Sequence, residues 1–479
     1  MSEAIGEMIL PGTYIEVRAE GLIGVGGIAT GNIGVVGTAN RGPLNSVVIL
    51  GSYSEALDTF GIYDRWPGTV SAPALTLTRT LEQIFKGGGS TVYALRVANL
   101  APGTESKSRS ISVQDATDTD LITLKATSPG TWGNGVTAML EPTVNPKTLT
   151  LVYGRNKEQY PFTTAGDLVT AINDASRFVS AAIDGADTAA KDANKAKTPA
   201  KLVDVDTGGP DGVAATTDEL ASGLALLATQ TVNIVVAAGF DAKTAAGTML
   251  AHLEATENDG RERIAIMGAS SDVPATIASD DVSKGSNPRL VLVAPGIMAD
   301  DAARAGETNK QVKLTAPYAA ALVAGRLGTL APHISLTNKD VAADNLTRDY
   351  TRAEQKQLLN NRVMVLQKNL GIRALKGITT DTGAFKQISV RRIVDHAKAG
   401  VRLGSNPYIG RLNNSRVRAA LKATLDGFLS SMVLDEMLIG YTLDVSATRA
   451  QEINGQAIVT MTMQPTFSID FVKVIMNLA

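Results

Sequence analysis

Three short apolar runs separated by helical segments constrain this chain more than any other feature. NIVVAAG, RIAIMG and RLVLVAP follow one another between residues 233 and 295, with TAAGTMLAHLEATE between the first two and DELASGLALLAT ahead of them. Runs that are apolar on both faces and spaced by helices predict a parallel or mixed sheet covered on both sides. TAPYAAALVAGRLG then predicts an Ala-rich helix whose small side chains permit close packing. With 479 residues there is room for about three domains of roughly 150 residues. The 44% hydrophobic and 4% aromatic content means that cores are built mainly from Leu, Val, Ile and Ala.

On the amino-terminal side, PGTYIEVRAEG reads as a strand-like arm. Thr13, Ile15 and Val17 alternate with Tyr14, Glu16 and Arg18, and no tight hairpin turn follows. NIGVVGTA is a strand, SYSEALDTFG and APALTLTRTLEQIFKGGG are helices, and STVYALRV is a buried strand. From Pro102 short strands alternate with turns (SISV, LITLKAT, GVTAML, TLTLVYG, EQYPFT) and close in DGADTAAKDANKAKTPAK, a linker or exposed loop without core residues.

Beyond the central alternation, VMVLQK and IRALKG are strands and SVRRIVDHAKAGVRL begins a helix. NNSRVRAALKATLDGFLSSMVL is the clearest helix. Asn414 or Ser415 can cap it, and Val417, Leu421, Leu425, Phe428, Leu429 and Met432 line one face. YTLDVSA, QAIVTMTMQP and FSIDFVKVIMNLA are the last strands. In the final one Phe467, Ile469 and Phe471 alternate with Ser468 and Asp470, after which Val472, Val474 and Ile475 break the alternation. A terminal strand apolar on both faces needs covering, and another subunit could supply it.

The expected architecture is a mixed α/β, multidomain chain. An αβ core domain is assembled from the amino- and carboxy-terminal parts and interrupted by two insertions. The expected units are an amino-terminal arm (1–20), the first part of the core (21–101), a β-rich insertion ending in a flexible linker (102–206), a βα insertion (207–350), a carboxy-terminal core domain (351–466) and a carboxy-terminal strand arm (467–479).

Little in the chain points to catalysis. There is no cysteine, which excludes disulfides, thiolate metal sites and Cys nucleophiles. The three histidines, His252, His333 and His396, are far apart in sequence. Gly24, Gly26 and Ala29 superficially match a dinucleotide fingerprint, but a strand follows where that motif needs a helix. No phosphate-loop, zinc-protease, EF-hand or nucleophile-elbow pattern occurs. Glu254/Glu257 and Asp435/Glu436 read as solvated helix faces, and His396 as a packed or interface residue. No cofactor or metal is expected. The opening MSEAIGEMIL has no basic n-region, and no apolar stretch approaches the ~20 residues of a membrane span; neither secretion nor membrane insertion is expected.

One electrostatic feature departs from a net charge of only −2. Lys386, Arg391, Arg392, Lys398, Arg402, Arg411, Arg416, Arg418 and Lys422 face Asp395 alone, so nine cations against one anion leave +8 within 37 residues. This stretch is either a solvated surface balanced elsewhere in the fold or a patch for an acidic partner. Tyr408 is its only aromatic apart from the flanks, so a protein partner is favoured over nucleic acid.

Several landmarks resemble one family, the contractile tail sheath proteins of bacteriophages, pyocins and related injection systems. PGTYIEV resembles its Pro-Gly-x-Tyr arm, and GPLNSVVILGSYSEALDTFG its Gly-Pro turn, strand and Phe-Gly helix end. KGGGSTVYALRV, SPGTWGNGV with Trp132 and Asn134, ISVRRIVDHAKAGVR and AIVTMTMQPTFSIDFVKVIM are similar to further landmarks, in the family's order. The resemblance implies a non-enzymatic subunit that forms a helical homo-oligomer of stacked rings around an inner tube and contracts to drive that tube through a cell envelope. It implies a location in a virion tail or injection-system particle assembled in the host cytoplasm, with the tube, baseplate and tail terminator as partners. Tyr14, Ile15 and Val17 at one end, and Phe467, Ile469, Phe471, Val472, Val474 and Ile475 at the other, would then be self-assembly arms. Arg391, Arg392, Lys398, Arg402, Arg411, Arg416, Arg418 and Lys422 would face the tube. The rivals are a cytoplasmic enzyme with a nucleotide-binding αβ domain at 215–300 and another virion tail component.

Overall fold

A computed structural model describes residues 27–67, 75–99, 110–114, 120–128, 130–141, 147–183 and 215–477. Tyr14, Ile15 and Val17 lie outside the described residues, as do Gly24 and Gly26.

The framework is an eight-stranded sheet drawn from three separate stretches of chain. Its strands are β1 (Ile33–Gly37), β2 (Val47–Leu50), β3 (Val92–Arg96), β10 (Ile234–Ala237), β11 (Ile264–Gly268), β12 (Leu290–Ala294), β16 (Val363–Lys368) and β17 (Ile372–Ala374). They lie in the order β17-β16-β12-β11-β10-β1-β3-β2. The six inner strands are mutually parallel, and β17 and β2 close the edges antiparallel. Alternate residues along each strand point to opposite faces. Ile33, Val35, Ile234, Val236, Ile264 and Ile266 meet helices α1 (Tyr53–Phe60), α2 (Leu77–Lys86) and α8 (Ala316–Gly328). Val36, Val235, Ala265, Met267, Leu290 and Leu292 meet α4 (Thr217–Leu227), α5 (Ala242–Asn258), α6 (Pro274–Ser279) and α9 (Arg352–Asn360), with the short α7 (Asp281–Lys284) beside them.

The boundary expected at residue 207 is therefore corrected. The segment expected as a separate βα insertion supplies β10, β11 and β12 to the sheet begun by β1, and residues 363–374 complete it. An inner strand of a sheet has neighbours on both sides. Those of β1 are β3 and β10, which registers Ile33 against both Val92 and Ile234, and nothing local in sequence names them. The Ala-rich helix packs as its small residues predict: a Cβ on Gly325 would lie 2.1 Å from the Ile84 carbonyl oxygen, and one on Gly87 would lie 2.3 Å from that of Leu322. A small antiparallel sheet of β13 (Ile297–Asp300), β14 (Gln311–Leu314) and β15 (Asn345–Leu346) lies between β12 and α9 in the chain.

Two three-stranded sheets make up the β-rich unit: β4 (Ser110–Gln114), β5 (Asp120–Ala126) and β9 (Val179–Ile183), then β6 (Val136–Glu141), β7 (Lys147–Tyr153) and β8 (Asn156–Phe162). Helix α3 (Ala165–Ala175), which the periodicity of the strands did not reveal, starts on a Thr164/Asp167 capping box. Trp132, Leu149, Leu151, Phe162, Leu168 and Ile172 form a core of its own. Arg41 pins this unit to the main sheet. Its guanidinium donates to the carbonyls of Leu57 and Asp58 at the end of α1 and lies 5.8 and 5.2 Å from the rings of Trp132 and Tyr153.

The carboxy-terminal unit stacks α10 (Ile388–Ser405) and α11 (Ser415–Leu434) beneath the hairpin β18 (Leu438–Ser446) and β19 (Ile458–Pro465), joined through α12 (Arg449–Ile453). Of the two candidate caps it is Asn414 whose side chain accepts from the Val417 N–H, at 2.9 Å. The apolar face expected on α11 is buried from Leu421 through Met432. Gly400 lets the helices cross closely, since a Cβ there would stand 2.0 Å from the Phe428 ring.

Candidate assembly surfaces

Among the described residues no group of His, Asp and Glu side chains could hold a metal ion, and no helix is long and apolar enough to cross a membrane. Ligands of doubly wound sheets bind at the carboxyl ends of the strands, where strand order reverses. That point lies here between β1 and β10, and the chain itself fills it. Thr76, at the start of α2, donates its N–H to the Thr38 carbonyl at 3.0 Å, and a Cβ on Gly239 would lie 2.5 Å from the Thr76 side chain. At the end of β11, a Cβ on Gly268 would fall 2.0 Å from the Pro317 nitrogen. Among the described residues a nucleotide-binding reading of residues 215–300 thus finds no open crevice at that point.

A cleft of about 350 Å³ opens instead at the amino ends of β1, β10 and β11, lined among others by Thr30, Asn233, Glu262, Arg392, His396 and Arg402. His396 sits beside Phe428, with ring centroids 5.8 Å apart, and burial holds its imidazole below its ordinary pKa. This matches the packed residue expected of it.

The cations of α10 do not form one exposed patch, and this corrects the expectation for Arg391 and Arg392. Arg391 is buried, lies over the Phe385 ring at 4.2 Å and pairs with Asp395 at 2.5 Å. Arg392 is buried and donates to the carbonyls of Leu330, Ala331 and Thr30, and burial lowers its pKa to about 10. Lys398 pairs with Glu257 at 2.9 Å, and Arg402 with Glu262 at 2.8 Å. Arg418 pairs with Glu452 at 3.0 Å. A buried charge persists only when it is paired or fully hydrogen-bonded: Asp395 pairs the buried Arg391 and backbone carbonyls satisfy Arg392, while carboxylates from α5 and from the loop before β11 pair the more exposed Lys398 and Arg402. Arg402, Arg411, Arg416 and Lys422 remain exposed, next to the exposed Ile409 and Leu412 at the α10–α11 tip.

Arg289 is the hub of that joint, and no periodicity singled it out. Its buried guanidinium donates to both oxygens of Glu257 at 2.6 and 2.7 Å and to both oxygens of Asp395 at 2.8 and 3.0 Å. Glu257, expected on a solvated face, is held down to a pKa of about 2 chiefly by the Arg289 bonds, against the opposing effect of burial. Glu254, Asp435 and Glu436 are exposed as expected.

The carboxy-terminal segment departs from expectation in another way. Among the described residues 466–477 belong to no ladder, and β18 and β19 pair only with each other. Tyr441, Leu443, Met461 and Met463 face the α-helices below, which leaves outward a mostly polar face that also exposes Ile439 and Ile458 and, among the described residues, both hairpin edges unpaired. Beyond β19 the alternation is turned inside out. Ser468 and Asp470 face the protein, while Phe467, Ile469 and Phe471 are 60%, 81% and 82% exposed. Val472, Val474, Ile475 and Met476 are also exposed.

Residues 380–479 match the family model of the phage tail sheath C-terminal domain. The sheath tail protein of Listeria innocua superposes with a TM-score of 0.67 at 14% identity, covering 94% of this chain and 95% of that one. That of Desulfitobacterium hafniense gives 0.63 at 17% identity, covering 95% and 100%. The fold is that of a tail sheath protein. The helical sheath of the anti-feeding prophage in its contracted state superposes with a TM-score of 0.55 at 13% identity, covering 98% and 99%. No curated relative matches at the level of sequence. The region that matches this model, the carboxy-terminal domain, contains the α10–α11 pair, the hairpin and the inverted arm, and the Arg289 joint fastens it to the sheet.

Proposed function

We propose that this chain is the structural subunit of a contractile tail sheath. It polymerises in stacked rings around an inner tube and shortens to drive that tube through a target envelope. One observation carries the reading: the carboxy-terminal segment holds its polar side chains inward and its apolar ones outward, beside a hairpin with two open edges. An isolated chain gains nothing from exposing Phe467, Ile469, Phe471 and the apolar residues that follow them, whereas a second copy that takes up the end of the segment, from Val472 onward, as an added strand buries apolar side chains and satisfies its main chain. Repeated head-to-tail contacts that do not close generate a helical assembly. Tyr14, Ile15 and Val17 would form the arm at the other end.

The tube would meet the α10–α11 tip, where Ile409 and Leu412 stand beside Arg411 and Arg416. This narrows the basic surface to its exposed members and removes Arg391 and Arg392 from it. Baseplate and terminator proteins would close the ends of the assembly in a virion tail or injection-system particle formed in the host cytoplasm. Negative-stain microscopy of the purified chain tests the reading. Hollow tubes are expected from the full chain and dispersed folded subunits from a variant lacking residues 467–479; tubes of normal yield from that variant would refute it. The double reversal Arg411→Glu/Arg416→Glu should weaken tube binding without dispersing the sheath, and unchanged binding would remove the tip from the contact.

A further inference from the structure

The inverted arm raises a question of mechanics: an extended segment that is mostly exposed has to leave its own subunit at a defined point if it is to reach a neighbour. Three separate stretches of the core converge on two of its residues. The Gln387 side chain, at the start of α10, treats Ser468 as a neighbouring strand would: its Oε1 accepts from the Ser468 N–H at 3.1 Å and its Nε2 donates to the Ser468 carbonyl at 3.4 Å. The same Nε2 donates to Asp470 Oδ2 at 3.3 Å. Asp470 Oδ1 accepts from the Thr337 hydroxyl at 3.2 Å, and Lys376 Nζ stands 3.3 Å from Oδ2. The Asp470 side chain is only 10% exposed, and Lys376 reaches on to lie 5.0 Å from the Phe471 ring.

We infer that Gln387, Lys376 and Thr337 form a clamp that holds the arm by Ser468 and Asp470, sets its exit from the subunit, and leaves the residues from Val472 onward as the part delivered to a second copy. The inference rests on the sheath reading for the identity of that copy, but the clamp itself does not. Six residues, 472–477, extend roughly 20 Å at the rise of a strand, enough to reach past the edge of a neighbouring hairpin. Gln387 and Asp470 are positioning residues, and no periodic pattern in the sequence links them.

Hydrogen exchange of dispersed full-length subunits, read peptide by peptide, tests the clamp. In the unaltered chain the Ser468 amide should be protected and those of 472–477 unprotected. In Gln387→Ala/Asp470→Asn the Ser468 amide should exchange roughly tenfold faster, as loss of one hydrogen bond to a partly buried group implies, while the unfolding midpoint of the core stays in place. The exchanged pair Lys376→Asp/Asp470→Lys should restore protection that Asp470→Lys alone removes. Tubes from the double variant should be fewer and shorter. Unchanged Ser468 exchange in the double variant, or tubes of unaltered yield and length, would overturn the clamp. If the unaltered chain forms no tubes at all, the sheath reading fails, and the exchange comparison still decides the clamp.

Discussion

Replacing Arg289 by Met removes the hub of the joint between the carboxy-terminal domain and the α/β core. The variant roughly keeps the volume of the side chain and loses five charge-assisted hydrogen bonds, two to Glu257 on α5, two to Asp395 on α10 and one to the Arg263 carbonyl. Removing one partner of a buried ion pair costs about 3–5 kcal/mol. Here Lys398 still pairs with Glu257 and Arg391 with Asp395, and the Glu257 side chain is 35% exposed. Solvent and the surviving partners screen the loss, so about 2 kcal/mol is the expected effect at neutral pH. The pH dependence provides a sharper test. The folded-state pKa of Glu257 is depressed from 4.5 to about 2, so its contribution is fully present above the unfolded value and is lost as pH falls through the folded one. Urea unfolding followed by a signal specific to α10 should therefore show a deficit for Arg289→Met that is largest above pH 5 and shrinks between pH 4.5 and 2. A deficit below about 0.5 kcal/mol at pH 7, or one equally large at pH 3, falls outside what a paired buried hub can produce and would refute the reasoning.

Gly400→Ala places a methyl group 2.0 Å from the Phe428 ring and forces α10 and α11 apart. Overpacking of this kind costs about 1–3 kcal/mol, so the carboxy-terminal domain should unfold at lower urea while the core transition stays unmoved. Arg41→Ala takes away the cation held against Trp132 and Tyr153. Such contacts are worth about 1–2 kcal/mol. Limited proteolysis should then cut faster at the junctions of the β-rich unit while its own core, around Leu149 and Leu168, keeps its melting point. Arg41→Lys should restore only part of the protection, because one ammonium cannot replace the guanidinium at both the α1 carbonyls and the two rings.

The elements themselves were legible because their signals are local. The β10, β11 and β12 runs are apolar on both faces, which marks them as buried strands, and the spacing of Leu421, Leu425, Phe428 and Met432 shows which face of α11 goes inward. The short helices were missed where few residues carry the pattern. Helix α9 buries Leu358 alone, so its nine residues show no apolar stripe to read. The assembly surfaces were legible only in part. Apolar side chains between Phe467 and Ile475 marked a segment in need of cover, but the Ser468 and Asp470 that hold it looked like the solvent face of an ordinary strand.

Taken alone, the sequence determined the alternation of strand and helix, the cysteine-free cores and the two-sided apolar character of the carboxy-terminal end, since each depends on residues within a turn or a strand of one another. It also carried the charge of the 386–422 stretch, and there its reach ended. Which strand lies beside β1, and whether Asp395 meets water or Arg289, depend on groups 106 to about 200 residues apart. Apolar periodicity records whether a side chain is buried but not what it meets. The pairing of β1 with β10 made one sheet out of two expected domains. Glu257, Glu262 and Asp395 drew Arg391, Lys398 and Arg402 out of the expected basic face into a joint, and the Gln387 clamp turned the apolar side of the last segment outward.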